Sequence, residues 1–138
     1  MTNMKEKYLQ IQSATFSYEG GENLFPKISF ELFAGEILVL TGVSGCGKST
    51  LLRCILGIQQ LNAGEIFVNG QPAIKTKMSL QQRIRYMGFV SQKPQEQILC
   101  ERVDDEIAFA MESMCWERKK MQDKIQKLLI ESGLNIAL

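Results

Sequence analysis

Residues Gly42-Val43-Ser44-Gly45-Cys46-Gly47-Lys48-Ser49 read G-x-x-x-x-G-K-[ST], a pattern with a physical mechanism. Its glycines let successive main-chain N–H groups converge on the oxygens of a polyanion, where a larger side chain would stand in the way. A helix opening directly after the loop adds the positive end of its dipole. Lys48 supplies an ammonium that reaches terminal phosphates, and the Ser49 hydroxyl is placed to ligate Mg²⁺. The loop from Gly42 to Thr50 is therefore expected to hold the phosphates of a nucleoside triphosphate, ATP with Mg²⁺. The amides of Val43, Ser44, Gly45 and Cys46 take part, and the side chains of Val43 and Cys46 point away.

The motif needs a strand before it and a helix after it, and the flanking sequence supplies candidates for both. Ile37-Leu38-Val39-Leu40 is continuously apolar, as a central strand of a parallel sheet covered on both faces would be. Leu51, Leu52, Ile55 and Leu56 recur at helical spacing, with Gly57 placed to end the helix in a left-handed cap. Upstream, Tyr8 to Tyr18 alternates loosely and Ile28 to Leu32 alternates cleanly, which predicts an antiparallel section. Downstream, Glu65 to Val68 predicts a strand closed by an Asn69-Gly70 turn, and Met87 to Val90 a second buried strand. Ser79 and Gln82 predict a capping box for a short helix through Arg85. Two amphipathic helices follow. The first begins at Asp104 with a face of Ile107, Ala110, Met111 and Met114; the second runs from about Glu117 to Ser132 with a stripe of Met121, Ile125, Leu128 and Leu129, stopped by Gly133. The whole reads as an α/β chain forming one domain over residues 1–138.

Composition removes several alternatives. Sixteen basic residues against fifteen acidic ones leave no broad electrostatic grip for nucleic acid. Cys46, Cys54, Cys100 and Cys115 show no C-x-x-C spacing and the chain has no histidine, so a mixed zinc site is not expected. The thiols suit a reducing compartment, and Met1 to Gln10 is too polar for a secretory signal. No apolar stretch approaches the roughly 20 residues of a membrane-crossing helix. Docking onto a membrane partner stays open.

With the loop in place, the chain resembles the front half of an ABC-transporter ATPase subunit. That resemblance implies a nucleotide-binding domain with an antiparallel β section, a partial parallel sheet and helices. Tyr18 looks like the aromatic residue on which the family stacks adenine; its alternative is an edge-strand core aromatic. Gln92, directly after the Met87 to Val90 run, looks like the family's Q-loop glutamine, which reaches Mg²⁺ and the attacking water. Its alternative is a solvated loop residue. Pro94 to Ile98 and Val103 to Phe109 look most like ATPases of energy-coupling-factor systems, which import vitamins and metal ions. The implied partners are ATP, a membrane-embedded transporter subunit and a second ATPase subunit, identical or different, at the inner face of the cell membrane.

The family's LSGGQ-type signature, its Walker B Asp-Glu pair, its D-loop and its switch histidine are not found in this sequence. The resemblance thus covers about the first half of the family's domain, and the chain is expected to be truncated, weakly stable alone and unable to hydrolyse ATP by itself. Two other readings stand beside it. A small P-loop metabolite kinase shares the loop and helix, although such kinases usually begin at the loop's own strand. An interaction fragment would have kept the surface that meets a membrane subunit and lost nucleotide dependence.

Overall fold

Alternating apolar and polar residues build a sheet ahead of the glycine-rich loop. The computed structural model describes residues 6–19, 21–73 and 86–134 and divides into two compact units between Met87 and Gly88. In the first unit β1 (Lys7–Phe16) pairs antiparallel with β2 (Phe25–Phe33) on one side and with β3 (Ala63–Val68) on the other. A two-residue strand, β4 (Gln71–Pro72), completes the order β2-β1-β3-β4. Ile11 faces Phe30 across one ladder and Ile66 across the other, and both isoleucines are fully buried. Each such burial contributes about 1.5–3 kcal/mol.

The turns follow from their residues. Asn69 and Gly70 both hold positive φ, 49° and 71°, as a two-residue type I′ hairpin requires. Pro72 lies on the outermost strand, where its missing N–H costs no ladder bond. Midway along β1 the register slips around Ser13, whose φ is 52° and whose amide donates to Ser29 Oγ at 2.8 Å. Gly64 of β3 packs onto that bulge. A Cβ there would stand 2.5 Å from the carbonyl oxygens of Gln12 and Ser13.

Helix α1 (Lys48–Ile55) begins at the loop's end and lays Leu51, Cys54 and Ile55 into the same core as Ile11, Ala14, Phe16, Phe25, Ile66 and Val68. It ends as its sequence predicts. Gly57, at φ 72°, donates to Cys54 O and Ile58 to Arg53 O, both at 2.9 Å, the paired bonds of a Schellman cap.

Two strands expected from the sequence are not formed. Residues 37–40 form no strand, and Ile37 and Val39 are 92% and 73% exposed; only Leu40 packs partly on the core. The run Met87 to Val90 also forms no strand, with Phe89 and Val90 exposed. A parallel strand exists only through neighbours on either side, and among the described residues no chain segment pairs with either run. The α/β character and its antiparallel section hold, while the parallel portion is not formed among the described residues. The capping box at Ser79 and Gln82 and its helix lie outside them.

In the second unit a 3₁₀ turn (Pro94–Gln97) precedes α2 (Val103–Ser113) and α3 (Arg118–Glu131). Met111, Ile125 and Leu129 form its buried centre, with Ile107, Ala108, Met121 and Leu128 packed around them. The α3 stripe is the expected one. On α2, Ala108 takes the inward place given to Ala110, because the helix starts at Val103 and its inner face runs through 107, 108 and 111. Gly133, at φ 70°, closes α3 with the same paired bonds as Gly57: its amide donates to Ile130 O, and that of Leu134 to Leu129 O.

Two glycines of positive φ separate backbone strain from steric collision. Gly70→Ala carries strain alone, with nothing within 4 Å of the added Cβ, and is expected to cost about 1 kcal/mol. Gly64→Ala adds collision with the β1 backbone and is expected to cost at least about 2–3 kcal/mol, lowering Tm by roughly 10 °C. Equal Tm values for the two variants in thermal denaturation would contradict the packing of Gly64 on the bulge.

Candidate phosphate-binding site

The loop bends where its glycines stand. Gly42, Gly45 and Gly47 have φ of 152°, 84° and 93°, a region side chains rarely enter. Space also excludes a side chain at two of them. A Cβ on Gly47 would lie 2.8 Å from Phe25 Cδ1 and 3.1 Å from Leu24 Cγ, and one on Gly42 would lie 2.8 Å from Cys46 Sγ. Gly47 is thus both the N-cap of α1 and its point of contact with the sheet.

Lys48 folds back over the loop. Its ammonium donates to Gly42 O at 2.9 Å and to Val43 O at 2.8 Å, with Cys46 Sγ at 3.6 Å. The first helical bond runs from Leu51 N to Gly47 O at 2.8 Å. Amides ahead of it, at Lys48, Ser49 and Thr50, have no acceptor within the helix and form its positive end. No acidic residue occupies the first turn to compete with an incoming anion. Ser49 is exposed, Thr50 is buried, and Val43 projects into solvent as expected. Cys46 departs from expectation: its sulfur turns inward beneath Gly42, where the absence of a Cβ leaves room.

Tyr18 stands two residues beyond the end of β1, and its hydroxyl lies 3.4 Å from Thr50 Oγ1. Its ring is perpendicular to that of Phe16 at 5.0 Å, and Phe16 stacks on Phe25 at 6.3 Å. Tyr18 and residues 42–50 therefore gather in one unit. The Phe16 and Phe25 rings were invisible as site residues in sequence: Phe16 read only as an apolar position of the first strand, and Phe25 stood before the second predicted one.

Among the described residues no group of three or more His, Cys, Asp or Glu could hold a metal ion. Mg²⁺ needs no such cage: it takes hard oxygen ligands and retains most of its shell from water and substrate phosphates. A single hydroxyl, that of Ser49, fits a cation arriving with a nucleotide.

Gln92 lies in the second unit, exposed in the loop ahead of the 3₁₀ turn. That loop is held by a residue the sequence did not single out. Gln97 accepts from Ser91 N at 2.7 Å and donates to Phe89 O at 3.4 Å, while Ser91 Oγ donates to Lys93 O at 2.9 Å. Glu106 anchors the next stretch, one Oε2 accepting from the amides of Leu99 and Cys100 at 2.8 Å each. Nothing local signals either role, because these side chains reach back six to eight residues.

Residues 25–137 match the family model described as ABC transporter. A Vibrio vulnificus protein named as an ABC transporter ATP-binding protein is 31% identical over 130 residues, covering 94% of this chain and 22% of its own length. A Bacillus subtilis protein named as an HMP/thiamine import ATP-binding protein is 35% identical over 130 residues, covering 90% of this chain and 24% of its own. Among solved structures, cbiO1 of Clostridium perfringens, part of the transporter complex cbiONQ, matches with a TM-score of 0.82 at 21% identity. That match covers 95% of this chain and 52% of the solved one. The chain thus spans about a quarter of the two sequence relatives and about half of the solved structure.

The Glu106 carboxyl is held below its ordinary value of 4.5 by the amides of Cys100 and, next, Leu99. The two bonds are therefore complete above pH 4.5 and are lost as the pH falls through the lower folded value. In an NMR titration the Leu99 and Cys100 amide protons are expected to move together, with a midpoint below 4.5, and Glu106→Gln to abolish that movement. A midpoint at or above 4.5 in the parent chain would contradict the anchor.

Proposed function

The chain belongs to the ABC transporter ATP-binding family, and from that premise we propose that it binds Mg²⁺·ATP as the phosphate-holding part of an ATPase that energises solute import. The observation that carries the proposal is the join of loop and helix: three glycines at positive φ, an ammonium folded over the carbonyls of Gly42 and Val43, and a helix start with no side-chain cap and no acidic residue. Amides of residues 43–50 bind the phosphates, and the Lys48 ammonium moves from loop carbonyls to β and γ oxygens. The Ser49 hydroxyl would hold Mg²⁺, which neutralises charge on the phosphates when bound. Tyr18, 54% exposed, offers its ring to the base.

Import is favoured by the motif resemblance at Pro94 to Ile98 and Val103 to Phe109, and by the name of the Bacillus subtilis relative. In this reading the partners are a membrane-embedded subunit and a second ATPase subunit, with the protein working at the inner membrane face. No helix among the described residues is long and apolar enough to cross a membrane. The antiparallel section ahead of the loop weighs against a small kinase.

Binding tests the proposal directly. A fluorescent ATP analogue is expected to bind the 138-residue chain in a Mg²⁺-dependent manner, and Lys48→Ala to weaken it at least about tenfold, the scale of a lost charge-assisted bond. Parent-like binding in that variant would overturn the proposal. Turnover is a separate matter. The 138-residue sequence carries neither the signature nor an apolar strand ending in the Walker B Asp-Glu pair, so no Lys48-dependent ATP hydrolysis is expected from this chain alone.

A further inference from the structure

Two routes join the residue proposed to meet the base to the loop proposed to hold the phosphates, and together they close a ring of contacts within the first unit. One is polar: Tyr18 OH to Thr50 Oγ1 at 3.4 Å, in the first turn of α1. The other is apolar. Tyr18 stands edge-on with Phe16, Phe16 stacks on Phe25, and Phe25 touches the place where Gly47 has no side chain. Thr50 is only 6% exposed and is the one buried polar residue among those described, so its hydroxyl is held in position by the core around it. Tyr18 is more than half exposed, and the tie adds a polar hold to its edge contact with Phe16.

We infer that Thr50 is a positioning residue for base recognition: its hydroxyl holds the Tyr18 ring in place, so that base and phosphates are read by one rigid unit. The inference rests on the reading of the loop as a phosphate site. Orientation matters because a stacked ring gains affinity only when held roughly parallel to the base, and ordering it in advance removes that cost from binding. A threonine hydroxyl supplies the hold from the first turn of α1. Valine has nearly the same shape and lacks it.

Two ligands separate the effects. Mg²⁺·tripolyphosphate uses the cradle alone, and Mg²⁺·ATP uses cradle and ring. By calorimetric titration of the 138-residue chain, Thr50→Val and Tyr18→Phe are each expected to raise the ratio of the ATP Kd to the tripolyphosphate Kd about three- to tenfold. Carrying both substitutions should raise the ratio no further than either alone, since both remove one bond. Tyr18→Phe lies on the surface and keeps the ring, so it guards against misfolding of the Thr50 variant. A ratio that stays constant in both variants overturns the inference, whether the two Kd values hold or rise together. Additive effects in the double variant overturn it as well. Failure of the parent chain to bind tripolyphosphate would instead overturn the phosphate-site reading, and this inference with it.

Discussion

The contact between Gly47 and Phe25 is the constraint from which the rest of the first unit follows. Helix α1 can start where it does only because the residue at its N-cap has no Cβ and can hold φ at 93° against an aromatic ring. That approach brings the free amides of the helix start over the end of the sheet. It also sets the side chains of the next two turns: Leu51, Cys54 and Ile55 fall onto the strand core, Ser49 faces solvent, and Thr50 meets Tyr18. Packing and ligand binding share this junction. A side chain at position 47 would collide with Phe25 and Leu24 and strain the left-handed backbone, disturbing the junction and the proposed phosphate site together.

What sequence could reveal depended on how far each feature reached along the chain. The glycine loop, the Schellman ends at Gly57 and Gly133, the Asn69-Gly70 turn and the stripe of α3 are fixed by residues a few positions apart, and each was legible. Ile37 to Leu40 was legible as a composition but not as a structure. Its unbroken apolar pattern describes a strand with neighbours on both sides, and such neighbours are non-local. The inward turn of Cys46 and the Phe16–Phe25 stack were illegible for a related reason. Neither follows from spacing, and both depend on the space left by a glycine elsewhere in the loop.

Ile37 and Val39 remain exposed although their sequence suits a buried strand, and that has a bearing on the loop that follows them. The C-terminal arm of the loop is fixed by α1 in the core. Its N-terminal arm is held at Leu40, which packs only partly, by Cys46 N–H donating to Val43 O at 3.4 Å, and by the two bonds that Lys48 makes to Gly42 O and Val43 O. In the proposed function Lys48 therefore has two tasks that draw on the same three protons: it ties the N-terminal arm of the loop to the helix, and it meets the anion. A phosphate oxygen arriving at the loop competes with main-chain carbonyls for that ammonium. Exchange is favourable because a charged acceptor forms the stronger bond, but it loosens the arm as it forms. The net affinity is the difference between the two. It follows that anything pairing residues 37–40 into a sheet would hold the arm independently, release Lys48 from its structural task and raise phosphate affinity without touching the site.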